Sequence, residues 1–317
     1  MQSFVITVVI LYIMTKYLIA VVGPTAIGKT ALSIKIAQHF QTEIISADSR
    51  QFYKEMNIGT AVPDPDELAA APHHCIQHIS IEDTYSVGHF EREAMSLIDT
   101  LHLKQPYVTM VGGSGMYVDA VIRGLDQFPD VQPGIREQLN DLYKTEGIIA
   151  LQQLLKEKDP VYYDRVDIQN HQRVTRALEV CLSSGKPFSS FLDKPKPKRP
   201  FETIKIGLSA DRTVIYDRIN TRVDIMVANG LVEEVQGLLS RKRLNALQTV
   251  GYRELFEHFE GKVSLEKAIE NIKTNTRRFA KRQLTWYRKD ASITWFDYQT
   301  PFEEIADFIH KKTSYDE

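Results

Sequence analysis

Cysteine is scarce in this chain of 317 residues: there are two, Cys75 and Cys181, far apart in sequence. That excludes a disulfide framework and suits a reducing cytosol, so a cytoplasmic protein is expected. A long hydrophobic run is lacking as well. Phe4–Met14 is almost wholly apolar, yet it is shorter than the roughly 20 residues of a membrane helix. It has no basic leader before it and no small-residue cleavage site after it. Residues 1–16 are read as an appendage, with Met14 the candidate natural start and a weak membrane anchor the competing reading. Neither sign of charge prevails, since 39 Lys and Arg face 41 Asp and Glu. The net charge of −2 therefore argues neither for nor against a nucleic-acid partner. Zinc-type ligand pairs are missing too: His73, His74, Cys75 and His78 lie close together, but no second cluster completes a four-ligand set, and no metal is expected there.

What is present begins with ample core material, 43% hydrophobic and 25% charged residues, as in a soluble globular protein. No repeat of solenoid or propeller period is visible. Short β-branched runs alternate with helical patterns: Tyr17–Val22, then Lys29–Phe40, Glu43–Ser46, a helix around His89–Leu103, and Tyr107–Val111. This order predicts a parallel sheet covered by helices on both faces. The stretch from about Pro129 to Ser190 reads as helices only, in pieces Pro133–Lys144, Ile148–Lys158 and His171–Ser184, the last stopped by Gly185. Lys194–Pro200 (KPKPKRP) is a stiff basic linker. The sheet pattern returns at Ile204–Leu208, followed by long helices to near Arg288. The fold class expected is α/β: a parallel sheet with a phosphate-binding loop (P-loop), flanked by helices. A helical insertion domain at 129–200 would divide a core of 17–128 and 201–317.

The sharpest motif is Gly23-Pro24-Thr25-Ala26-Ile27-Gly28-Lys29-Thr30, which satisfies G-x-x-x-x-G-K-[ST] at every fixed position, with a hydrophobic run before it and a helical pattern after it. Gly23 and Gly28 permit the tight turn that points successive N–H groups at anionic oxygens. The helix from Lys29 adds its positive end, Lys29 a full charge, and the Thr30 hydroxyl a ligand for magnesium (Mg2+). A phosphate is implied, but not ATP. The strand at Tyr107–Val111 runs into Gly112-Gly113-Ser114-Gly115 rather than into the Asp that usually holds magnesium in ATPases.

Asp48, after the second strand, should lie on the same rim, because ligands of open parallel sheets sit at the strand carboxyl ends. It can be a magnesium partner, a general base or a helix cap. Gly112–Gly115 marks a second place where backbone approaches something closely.

GPTAIGKT, ISADSRQFYKEMNIGTAVP, APHH and VGGSGMYVDAVIRGL occur in this order. Asn170–Glu179, Arg222–Met226 with Gly230-Leu231, Val250–Arg253 and Thr276–Trp286 (TRRFAKRQLTW) follow. Together they resemble tRNA dimethylallyltransferase, also called tRNA isopentenyltransferase, of the bacterial type without the zinc finger of eukaryotic relatives. The resemblance runs from about residue 17 to 290. It implies transfer of a dimethylallyl group from dimethylallyl diphosphate to N6 of the adenosine 3′ of the anticodon, in tRNAs reading codons that begin with U. Asp48 matches the family's general base; Lys29, Thr30 with magnesium and Arg222 would neutralise the diphosphate. By the same match the tRNA anticodon stem-loop would be touched by Asp48, Ser49, Arg50, Gln51, Ser114 and Arg136. A second set comprises Gln172, Arg173, Val174, Thr175 and Arg176, and a third Gln248, Thr249, Val250, Gly251, Tyr252 and Arg253. Ser114 stands where the family usually has Thr, and Ile27 where it usually has Ser. No membrane and no obligate protein partner are expected.

A tRNA substrate also makes physical sense. An amine stacked in an anticodon loop must be swung into a pocket before it reacts, which calls for an electropositive surface reading single-stranded RNA. Lys273–Lys289, which holds seven Lys and Arg with no acidic residue between them, supplies such charge; the alternative is a solvated helix packing through Phe279, Leu284 and Trp286. The rival functions are a P-loop small-molecule or nucleotide kinase and a non-catalytic RNA-binding module.

Overall fold

The computed structural model describes residues 15–314; the appendage and Met14 lie outside them, apart from residues 15 and 16. The described residues divide into two compact units. One holds the chain up to Arg123 and again from Arg199; the other is Gly124–Lys198.

The first unit is built on a parallel sheet. Its strands are β1 (Tyr17–Val22), β2 (Ile44–Ser46), β3 (His73–His74), β4 (Tyr107–Val111), β5 (Glu202–Ser209) and β6 (Ile293–Asp297), in the order β3-β2-β4-β1-β5-β6. β1 is central, pairing Val21 with Val111 and Val22 with Gly207, and all its residues are buried. A strand covered on both faces has no use for polar alternation, which is why YLIAVV reads as a continuous apolar run. One face packs Ile19, Val21, Ile36, Ile206 and Ile219. The other packs Leu18, Ala20, Phe90, Ile98 and Met110.

Local chemistry sets the helix starts. α1 (Lys29–His39) begins after Gly28 at φ 106. α2 (Pro65–Ala70) has a reciprocal Asp64–Glu67 capping box. α3 (Val87–Leu101) is capped by Ser86, so it starts before the expected His89, and it buries Phe90, Ala94, Ile98 and Leu101 on one stripe. α4 (Gly115–Arg123) completes the first half of the sheet unit.

In the second unit, α5 (Ile135–Lys158) is broken at Gly147, φ 76, where the sequence pattern had already parted the two helical pieces. α6 (Pro160–Tyr163) and α7 (His171–Ser184) close a core of Ile135, Leu139, Leu151, Leu155, Val174, Leu178 and Phe188. The unit begins at Gly124 and ends at Lys198, against the 129–200 read from the pattern. Gly124, φ 78, turns the chain at the end of α4. Arg199 belongs to the sheet unit, where its guanidinium pairs with Glu91 and donates to the Ala120 carbonyl at 2.7 Å.

The sheet unit resumes with β5, which outruns the expected Ile204–Leu208 at both ends. α8 (Arg212–Ala228), α9 (Leu231–Gly237), α10 (Tyr252–Phe259) and α11 (Leu265–Tyr287) follow. A third core of Tyr53, Met56, Val223, Leu231, Val235, Leu247, Tyr252, Leu255 and Ile272 joins them. β6, the edge strand β3 and the last helix α12 (Phe302–Thr313) were not anticipated. β3 spans two residues, below any pattern of alternation, and the apolar residues of β6 face neighbours contributed by β5. Among the described residues no helix is long and apolar enough to cross a membrane.

Candidate active site

The loop after β1 folds as its glycines demand. Gly23 lies at φ 140, and a Cβ there would stand 2.5 Å from the Leu208 carbonyl oxygen. Ala26 is left-handed at φ 63, a conformation costing a non-glycine residue roughly 1–3 kcal/mol, so neighbours must hold it. They come from α8: Arg218 donates to the Ala26 carbonyl at 2.7 Å and Arg222 to the Thr25 hydroxyl at 3.3 Å. Ile27 is buried in the core, and its backbone alone lines the turn. Lys29 curls back, donating from Nζ to the Pro24 carbonyl at 2.7 Å. Burial lowers the Lys29 pKa to about 8, against the pull of Asp48 and with help from Arg222. Burial likewise lowers the Arg222 pKa, opposed by Asp48. Two cations and one carboxylate thus share a partly desolvated rim.

Asp48 follows β2 at that rim. It caps a turn rather than a helix, its Oδ1 accepting from the Arg50 N–H at 3.0 Å. Ser114 binds the same turn: its hydroxyl accepts from the Ser49 N–H and donates to the Ser49 hydroxyl, both at 3.1 Å. Arg50 reaches out to the carbonyls of Asn245 and Ala246 at 3.2 and 3.0 Å, next to Gln248. The structure therefore brings together the phosphate loop, Arg222, Asp48–Gln51, Ser114 and the segment leading into Gln248–Arg253.

Several predicted RNA contacts have other work. Gln51 spends its amide internally, accepting from Ser46 Oγ and donating to the carbonyls of Thr60 and Ala61. Tyr252 is fully buried, and its hydroxyl donates to Glu234 at 2.7 Å. The same carboxylate accepts from the N–H groups of Asn57, Ile58 and Gly59. Gly251, φ 95, starts α10 with its N–H on Glu254, while Gln248 and Arg253 are exposed and Thr249 and Val250 half-buried. In the helical unit Val174 and Thr175 face the core, whereas Gln172, Arg173 and Arg176 face outward. Arg136 and Arg176 both pair with the buried carboxylate of Glu179.

α11 packs Leu284, one of the three residues of the alternative reading, against the core. Its buried side is Ala268, Ile272, Ala280, Gln283 and Tyr287, while Phe279 and Trp286 are 37% and 45% exposed. Lys273 and Arg277 are paired with Asp224 and Glu270. Arg278, Lys281, Arg282, Arg288 and Lys289 are exposed. Sequence reasoning missed Gln283, Glu234 and Glu179; a polar residue on an apolar helical stripe was the available signal for Gln283 and Glu179. Cys75, His78 and Glu93 have donor atoms within 4.8 Å of one another, and Glu93 already accepts from Tyr85, His78 and Cys75.

Fold and site together define an α/β protein of the phosphate-loop class whose loop lies beside a carboxylate-bearing turn. The chain belongs to the IPP transferase family, whose pattern matches residues 51–290. It is 60% identical over 299 residues to a tRNA dimethylallyltransferase of Christiangramia forsetii, covering 94% of this chain and 99% of that one. It is 54% identical to the enzyme of the same name from Flavobacterium johnsoniae, covering 93% and 97%. The tRNA isopentenylpyrophosphate transferase of Bacillus halodurans superposes with a TM-score of 0.71 at 37% identity, covering 94% and 97%. A eukaryotic dimethylallyltransferase acting on tRNA superposes at 0.78 with 27% identity, covering 90% and 75%.

Proposed function

We propose that this protein transfers a dimethylallyl group from dimethylallyl diphosphate to N6 of the adenosine 3′ of the anticodon, in tRNAs reading codons that begin with U. The observation that carries the reading is the shared rim, where Lys29 and Arg222 meet Asp48 beside the phosphate loop. The names of the relatives support the choice of group and acceptor.

In the reaction the N6 nitrogen attacks the allylic carbon as the bond from that carbon to the diphosphate oxygen breaks. The bonding pair leaves with the diphosphate, and the amine proton passes to Asp48. A positioned base contributes about 10²–10⁴-fold, and stabilising the leaving group's charge is usually the larger effect. Lys29, Arg222 and the loop N–H groups supply that stabilisation without reorganising, because Arg218 and Arg222 already hold the loop. The donor set for a cation at this end of the loop is oxygen, the Thr30 hydroxyl, which suits a hard divalent ion; magnesium would neutralise part of the diphosphate charge. Asp48, Ser49, Arg50 and the exposed Gln248 and Arg253 would face the anticodon loop, with Arg136, Gln172, Arg173 and Arg176 as further RNA contacts.

The kinase reading is weaker, since β4 ends at Val111 in Gly112 with no carboxylate to hold a nucleotide's magnesium. The test is to mix protein, magnesium, dimethylallyl diphosphate and unmodified tRNA, digest the RNA and weigh the nucleosides. N6-dimethylallyladenosine is expected. Unmodified adenosine together with phosphoryl transfer from ATP in the absence of tRNA would sink the proposal.

A further inference from the structure

Three side chains of α11 meet three of the four residues in the corner after β4. A Cβ at Gly113 would stand 2.2 Å from Gln283 Nε2, and one at Gly115 would stand 2.3 Å from Trp286 Cδ1. Tyr287 donates its hydroxyl to the Gly112 carbonyl at 3.3 Å. Gly113 and Gly115 are thus required by a helix of the protein itself, whereas a Cβ at Gly112 would meet the Ala47 carbonyl oxygen at 2.5 Å, and the contact at Gly113 leads on to the phosphate loop. Gln283 is buried, 6% exposed, on an otherwise apolar stripe. Its Nε2 donates to the Gly113 carbonyl at 3.0 Å, and its Oε1 accepts from the Thr25 N–H at 2.9 Å. One amide therefore joins two elements that diverge in sequence by 88 positions (Thr25 to Gly113). Both of its bonds are to backbone, so the sequence of either partner cannot substitute for it.

We infer that Gln283 is a positioning residue for diphosphate binding: it clamps the entrance of the phosphate loop to the end of β4 and so holds the loop's N–H groups in their anion-binding arrangement. Thr25 is then fixed twice, its N–H by Gln283 and its hydroxyl by Arg222. The next residue, Ala26, carries the left-handed backbone that needs such support. Lys29 Nζ lies 3.8 Å from where a Gly113 Cβ would be, so the clamp also borders the loop's charge. The outward side of the same helix carries Arg278, Lys281 and Arg282, and a donor-side role for Gln283 separates it from them. The inference rests on the loop binding a diphosphate; the prenyl acceptor does not enter it.

The experiment is calorimetric titration of the whole protein with inorganic pyrophosphate and magnesium, alongside steady-state kinetics with dimethylallyl diphosphate and tRNA. Gln283→Met keeps the volume and removes both bonds. It is expected to weaken pyrophosphate binding about tenfold and to raise the donor KM similarly, with the tRNA KM unchanged. Gly113→Ala, which displaces the amide while leaving Gln283 in place, is expected to give the same donor-side defect. The two changes combined should lose no more than about twofold beyond the worse single variant, since they act through one amide. Should Gln283→Met not fold, Gly113→Ala alone carries the comparison. Pyrophosphate affinity within about twofold of wild type in a folded variant would overturn the clamp, as would an equal rise in the tRNA KM. Wild type that binds pyrophosphate but transfers nothing, with binding lost in the variants, would uphold the clamp and remove the prenyl-transfer reading. Wild type that binds no pyrophosphate would remove both.

Discussion

The residues around the phosphate loop and the arginines of the helical unit carry positive charge in opposite ways. Lys29 is half-buried and bound to a backbone carbonyl, and Arg222 is held on Thr25. Arg173 is exposed, and Arg136 and Arg176 lie over half and nearly half exposed on the single carboxylate of Glu179. A buried cation costs desolvation, and an anion that arrives recovers much of that cost, so such a site is specific for one charge in one place. Exposed cations act through screened, distributed attraction, as suits a long polyanion. Under the proposed function, chemistry and recognition would fall to different kinds of basic residue.

Replacing Asp48 should break the comparison most sharply on the chemical side. Asp48→Ala is expected to lower transfer by about 10²–10⁴-fold in single-turnover assays while filter binding of tRNA changes little. Full transfer by that variant would remove Asp48 as the base.

The half-buried lysine predicts a pH dependence of pyrophosphate binding. Free Lys29 loses its proton as pH rises through about 8, and pyrophosphate binds the charged form. Affinity should be level below that pH and fall by about tenfold per unit well above it. Calorimetry across about pH 6.5–9.5 measures this; a level profile throughout would show that Lys29 stays charged or contributes nothing.

The smallest effect sharpens the other half. Arg173→Ala should weaken tRNA binding a few-fold and reduce the slope of log affinity against log salt by about one. Pyrophosphate affinity should stay the same. A variant that lost pyrophosphate binding would show that the two kinds of cation are not independent.

Much of this was legible in the sequence because it is local. Gly23–Thr30 must turn tightly and Tyr17–Val22 must be buried, whatever surrounds them. Gly147 and Gly185 ended helices where their freedom of φ allows it. The expected boundary of the helical unit was displaced because Arg199 reads as part of a basic linker, and only its pairing with Glu91 assigns it to the sheet. β6 was missed because its neighbour β5 lies far away in sequence. Tyr252 and Gln51 were counted among RNA contacts, and their side chains turn out to be spent on Glu234 and on the carbonyls of Thr60 and Ala61.

By itself the sequence determined the phosphate loop, the strand and helix on either side of it, and a carboxylate on the same rim, because spacing along the chain sets each of these. It also marked Gly112–Gly115 as a close approach. Only the tertiary structure decided what approaches: Ala47 at Gly112, and α11 at Gly113 and Gly115, whose Gln283 ties that corner to Thr25. A glycine records that space is needed, but the group that fills it comes from a part of the chain that folding alone brings near.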